Sequence, residues 1–206
     1  MGVFLFQFLI FLTKSKVNNM TTVLNLNLND LTQQFVSNLK QQFGRGTQVE
    51  IRLKNESTAE ALFSESDFWA MIDFIDWSKK SATDKLDALV KKLSARPVSH
   101  IYIFADKLSE KLYYLDTKQH ADVYAADEPD HFISVDDFLY ARCAVVAEGR
   151  AYYEKVLNDP LLMPTSITFE ALLNVADDAY ELKIGEEFNY QPSYNYETRS
   201  NKQDWQ

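Results

Sequence analysis

The sequence predicts an α+β protein, with a small N-terminal β-α-β unit followed by a mainly α-helical domain, and three observations predict it. Residues 23–29 alternate strictly between two faces, residues 49–53 do so again after a helical stripe, and from Ser64 onward apolar residues recur at helical spacing between capping residues. At 206 residues and 46% hydrophobic, the chain has enough apolar material for one sizeable core or two unequal ones.

Val3 to Leu12, VFLFQFLIFL, comes first. Its ten apolar-rich positions are about half of the ~20 needed to cross a bilayer. No Lys or Arg precedes them, and TKSKVNN after them offers no small-x-small cleavage site. Residues 1–19 are therefore expected to be an upstream extension ahead of a start at Met20, with a short membrane-associated tail as the alternative; no membrane span is expected.

Residues 20–54 carry the expected β-α-β unit. Leu24, Leu26 and Leu28 share one face of a strand, Asp30 opens a helix with Gln33 three residues on, and Leu31, Phe35, Leu39 and Phe43 form its stripe. Gly44 suits the C-terminal cap, and Val49, Ile51 and Leu53 alternate with Glu50 and Arg52 in a second strand. Two strands and one helix bury too little surface to stand alone, so the unit is expected to lean on the rest of the chain or on a second copy, giving a homodimer through residues 20–54.

Residues 55–63 lack a pattern and read as a linker to a helical domain over 64–206. Ser64 caps a helix through Phe68, Met71, Ile72 and Ile75, flanked by Trp69 and Trp77. Thr83 caps a second through Leu86, Leu89, Val90 and Leu93, and Pro97 starts a third through Ile101, Phe104, Leu108, Leu112 and Leu115. After an acidic connection, Ser134 caps one long helix to Pro160, with Asp136 and Asp137 in its first turn where the helix dipole favours anions. Its broad apolar surface marks it as central and buried. A last helix runs from Thr165 or Ser166 through Phe169, Leu172, Leu173, Ala176, Tyr180 and Ile184 to Gly185. The tail beyond, with Phe188, Tyr190, Tyr194, Tyr196 and Trp205, is expected to pack over the helices.

Charge is uneven: residues 1–100 hold 12 Lys and Arg against 10 Asp and Glu, and residues 101–206 hold 9 against 20, so the net charge of −9 is +2 in the first half and −11 in the second. Such a surface repels phosphate and excludes nucleic acid as a partner, while leaving a basic protein partner open. The single cysteine, Cys143, rules out an intramolecular disulfide and fits a reducing cytoplasm.

Three segments, SESDFWAMID, DDFLYARCAVVAEGRAYYEKVLNDP and FEALLNVADDAYELKIGEEFNY, together resemble the bacterial family called domain of unknown function 4240, over about residues 64–206. Phe68 and Trp69, Gly149 and Arg150, Tyr153, and Asp159 with Pro160 carry the resemblance. It implies a helical domain in a bacterial cytoplasmic setting and brings no activity, cofactor or site with it.

Candidate chemistry centres on Arg142, which lies on the apolar side of its helix between Phe138 and Val145. A buried guanidinium needs partners, and an internal pair with Asp136, Asp177 or Glu170 is the economical solution, a bound anion the functional one. Arg150 can pair with Glu154 at i,i+4, and Gly149 within the helix implies close approach of another helix or a ligand. With Tyr153 and Trp69, Arg142 and Arg150 make up the candidate binding residues. His100, His120 and His131 are scattered, Asp127, Glu128, Asp130 and His131 lack the ligand alternation of a calcium loop, and Gly44 to Gly46 follows a helix rather than opening one. No metal and no cofactor are expected, and no catalytic template fits. Asp177 and Asp178 lie on a polar stripe with Asn174 and Glu181, a helix surface.

Two readings of function follow. The first is a non-enzymatic protein-binding or regulatory protein, with an immunity-type protein that neutralises a basic partner as one specific form. The alternative is an enzyme with a site around Arg142 and Arg150 acting on a small anionic substrate.

Overall fold

The computed structural model describes residues 7–13, 22–26, 33–43, 48–54, 63–127 and 133–206. The chain divides into two units, Met1–Ala61 and Leu62–Gln206.

In the first unit, β1 (Gln7–Thr13), β2 (Thr22–Leu26), α1 (Gln33–Phe43) and β3 (Gln48–Lys54) follow one another. The strands form one sheet in the order β2-β1-β3, antiparallel throughout. Ile10 stands opposite Leu24 on one side and Ile51 on the other. This overturns the expected β-α-β unit, in which β2 and β3 would be parallel neighbours. A strand from the segment set apart as an extension lies between them, its run of Phe, Leu and Ile suiting an extended backbone as well as it suits a helix. The third strand comes from the same chain, and β2 and β3 form the edges of the sheet. In α1, Phe35 and Leu39 are half-buried and the other positions whose exposure is described are exposed.

The second unit is helical, with no strand among its described residues. A mainly helical domain is what the sequence predicts here, so the correction to the predicted α+β class falls on the N-terminal β-α-β unit. α2 (Glu65–Ile72) starts at a capping box: Ser64 Oγ accepts from the Asp67 amide, and the Asp67 carboxylate accepts from the Ser64 amide at 2.8 Å. α3 (Ala82–Ser94) is capped by Ser81, two residues earlier than Thr83. α4 (Val98–Tyr114) begins after Pro97. Thr117 then caps α5 (Lys118–Tyr124), a short helix lying in what reads in sequence as a connection; the acidic stretch 128–132 is outside the described residues.

Ser134 caps α6 (Val135–Ala147), in which Phe138, Leu139 and every residue from Ala141 to Ala147 are buried. This is the central helix, and it is shorter than the periodicity predicts. Glu148 ends it and Gly149, at φ 93° and ψ 175°, opens α7 (Arg150–Asn158). That backbone region is open essentially to glycine alone. Gly149 is thus a breakpoint, and no close approach explains it: a Cβ there would meet only Asp73 Oδ1, at 3.9 Å. Short 3-10 turns at Pro160–Leu162 and Glu170–Asn174 lead into α8 (Val175–Ile184), closed by Gly185 at φ 76°.

α8 packs against α3 and α4, and α4 also against α6. Phe68, Leu89, Phe104, Leu112, Phe138, Val145, Val156 and Leu172 are among the fully buried core side chains. Phe188 is buried, and Tyr190, Tyr196 and Trp205 pack partly buried against that core, as the aromatic tail predicts.

Candidate functional site

The last turn of an α-helix leaves carbonyls without intrahelical partners, and the partial negative charge gathered there attracts cations. At the end of α4 those carbonyls are taken up by side chains from three other segments. The Leu112 carbonyl accepts from Arg142 Nη1 at 2.8 Å, the Lys111 carbonyl from the Tyr153 hydroxyl at 3.5 Å, and the Tyr113 carbonyl from the Asp116 amide at 3.0 Å and Asn201 Nδ2 at 3.4 Å. Arg142 is fully buried. Its Nη2 donates at 2.9 Å to the Thr198 hydroxyl, which itself donates to the Val135 carbonyl, and its guanidinium lies 4.9 Å from the centre of the Phe138 ring.

The expected pairing of Arg142 with Asp136, Asp177 or Glu170 is not formed; no carboxylate lies within 4 Å of it among the described residues. Burial lowers its pKa, and the nearby charge of Asp116 opposes that effect. The protein stabilises this cation mainly with helix-end carbonyls, a hydroxyl and an aromatic face.

Asp116, also fully buried, is the counterpart. Its carboxylate accepts from the amides of Arg199 (3.0 Å) and Asn201 (3.1 Å), from the Ser200 hydroxyl (3.3 Å) and from the Trp205 indole (2.9 Å). Arg199 holds φ 71°, a left-handed conformation at the turn that brings its own amide and that of Asn201 onto one anion. One buried acid thereby fastens the C-terminal segment to α4.

His120 is buried beside them. Its Nε2 lies 3.0 Å from the Val156 carbonyl, which can only accept, so Nε2 carries the proton and Nδ1 accepts from the Thr117 hydroxyl at 2.7 Å. Burial lowers its pKa and the charge of Arg142 adds to that, outweighing the opposite effect of the Val156 bond. The Thr-His pair has the spacing of a nucleophile and its base, yet its imidazole has no solvent access and its hydroxyl caps α5.

Trp69 and Tyr153 meet, ring centres 5.2 Å apart. The Trp69 indole donates to Glu65 at 2.8 Å, and the same carboxylate receives Lys107 at 3.2 Å and Lys111 at 3.0 Å, with Glu110 on the other side of Lys111 at 3.0 Å. Burial raises the Glu65 pKa, but Lys111, Lys107 and Trp69 together outweigh it and hold the carboxylate below its ordinary range. Burial likewise pushes the Tyr153 phenol far up, reinforced by Glu110 and Glu65. Arg150 stays on the surface, paired with Glu154 at 2.7 Å as the i,i+4 spacing predicts. Cys143 is sealed in the core, its thiol pushed up to about 12 by burial.

The structure therefore brings Trp69 and Tyr153 together, hangs Tyr153 and Arg142 on adjacent carbonyls of α4, and leaves Arg150 outside. Asp116, His120, Glu65 and Thr198 were not legible as participants. Asp116 offered one signal, an acid directly after the apolar Leu112 and Leu115 positions. Elsewhere, a cavity of about 140 Å³ lies between α4, α8 and the C-terminal segment, with Asp177 in its lining.

A family described as Protein of unknown function (DUF4240) matches residues 63–182, from the start of α2 almost to the end of α8. The match includes Asp116, His120, Arg142 and Tyr153 but stops short of Thr198, Asn201 and Trp205. No curated protein and no solved structure matches the chain.

Proposed function

We propose that this chain, which belongs to the DUF4240 family of proteins of unknown function, is a non-enzymatic binding protein whose acidic α8 surface engages a basic protein partner. One observation carries the reading: the exposed carboxylates Asp177, Asp178, Glu181, Glu186 and Glu187 have no cationic side chain within 4 Å among the described residues. Several exposed acids elsewhere in the helical unit are paired, as in Lys91–Asp87, Lys118–Asp122 and Arg150–Glu154, whereas these five lie together within eleven residues. Asp177 and Asp178 both have raised pKa values, first through partial burial and then through neighbouring carboxylates. A positive partner would relieve that mutual repulsion.

The polar groups that sequence reasoning favours for chemistry are turned inward. Arg142, Tyr153 and Trp69 each have an internal partner, and Arg142 and Arg150 do not converge on a common opening. An immunity-type protein that neutralises a basic toxin is one form this function would take.

The test is affinity capture on the full chain at ~150 mM salt, where exposed charges more than about 8 Å apart are screened and nonspecific attraction is weak. The reading expects a stoichiometric basic protein on the native chain and its loss on a Asp178→Asn, Glu181→Gln, Glu187→Gln variant. Capture that is equal on both, or no stoichiometric protein, overturns it.

A further inference from the structure

The cavity between α4, α8 and the C-terminal segment has a composition that suits one kind of ligand. Leu108 and Ala176 line it with aliphatic surface, Phe188, Tyr190 and Tyr196 contribute aromatic rings, and Asp177 is the one charged lining residue. The aromatic wall is fixed in place. Tyr190 donates its hydroxyl to the Asp106 carboxylate at 3.0 Å, the Ser193 amide binds the same carboxylate at 2.8 Å, and Tyr102 meets the Tyr190 ring edge-on at 4.8 Å and Phe188 at a tilt at 5.6 Å. Ser109, also in the lining, spends its hydroxyl on the Asp106 carbonyl at 2.7 Å. The hydroxyls of Tyr190 and Ser109 are thus engaged, which leaves the Asp177 carboxylate and the Tyr196 hydroxyl facing a ligand.

We propose that this cavity binds an alkylammonium group, with the alkyl chain against Leu108 and Ala176 and the cationic head between the tyrosine rings and Asp177. Size, shape and charge agree on it. A volume of about 140 Å³ resembles the ~150 Å³ apolar cavity that accepts a benzene-sized ligand, so a butylammonium group fits. Aromatic faces attract cations, an anion in the lining adds to that, and the charges nearest Asp177 are the further negative ones of Asp178 and Glu187. An anionic ligand is repelled by the same three carboxylates.

The inference deepens the reading of α8 as a cation-seeking surface and rests on it. The group would come either from a lysine side chain of the basic partner or from a free amine, and the two sources separate experimentally. Amide chemical shifts of the full chain are followed during titration with n-butylammonium, n-butanol and butyrate, and with a short peptide carrying one lysine. Saturable shifts at Ala176, Asp177 and Tyr196 with n-butylammonium, weakened about fivefold or more by Asp177→Asn, support the proposal; this corresponds to loss of one favourable ion contact. Equal response to n-butanol, or none to n-butylammonium, overturns it. Asp177→Asn alters one exposed side chain, and Ala176→Leu, which fills the cavity, should abolish binding with the fold retained by circular dichroism. Shifts with the lysine peptide identify a side-chain source; shifts with the free amine alone identify a small-molecule source. If n-butylammonium binds while the basic partner does not, the cavity stands and the partner reading fails; the reverse result removes the cavity alone.

Discussion

Arg142 Nη1 donates at 2.8 Å to the carbonyl of Leu112, thirty residues earlier and in the last turn of α4. A fully buried arginine is thus held at the negative end of a helix, where its charge and the unsatisfied carbonyl compensate each other. Arg142→Ala takes the donor from both partners, Leu112 and Thr198, and leaves a void, and should cost about 3–5 kcal/mol. Arg142→Met keeps most of the apolar volume and leaves chiefly the Leu112 carbonyl unpaired, about 1–3 kcal/mol. Urea unfolding of both variants checks the ranking; an Arg142→Met variant as stable as the native chain would contradict the helix-end role.

Asp116→Asn should loosen the C-terminal segment. The carboxylate takes four donors, and an amide group turns at least one N–H toward them. Hydrogen exchange at the Arg199 and Asn201 amides should accelerate, and the fold should lose about 1–3 kcal/mol. Unchanged exchange at these amides would show that Asp116 is not the fastener.

Gly149→Ala should destabilise by about 1–3 kcal/mol, because φ 93° with ψ 175° strains any L side chain even where space is open. Thermal unfolding measures it. Were the segment one continuous helix, the same substitution would instead stabilise the fold by about 1 kcal/mol through helix propensity.

His120 sets a pH dependence whose sign follows from its lowered pKa. Below the unfolded value of about 6.5 the unfolded state binds a proton that the folded state refuses, so stability falls as pH drops from 6.5 toward the folded pKa. His120→Asn should flatten the stability profile in that window. Asp177 and Asp178, with raised values, act in the opposite sense and at more acidic pH, where their protonation in the folded state adds stability. A native profile without a drop below pH 6.5 would contradict the neutral, buried imidazole.

Local features were legible in the sequence. The Ser64 and Ser134 caps, the C-terminal Gly185 and the buried stripes of α6 are each written within a few residues. The break at Gly149 was not, because apolar periodicity runs across it unchanged and only the backbone angle reveals the turn. The sheet order was missed because pairing β1 with both β2 and β3 is a nonlocal choice that alternation within one strand does not encode. For Arg142 the sequence showed a buried cation but not its solution. The acids nearest in pattern, Asp136, Asp177 and Glu170, were poor guides, since the partners are a backbone carbonyl thirty residues away and a hydroxyl fifty-six residues away.

The most direct test of the central claim, that the buried arginine is structural and the α8 surface does the binding, measures the affinity of the captured basic partner for three forms of the chain. Native protein and Arg142→Met should bind within about twofold of each other, and the Asp178→Asn, Glu181→Gln, Glu187→Gln variant should bind at least about tenfold more weakly, the ~1.4 kcal/mol that three surface charges can supply. Loss of binding with Arg142→Met, and retention with the α8 variant, would contradict the account.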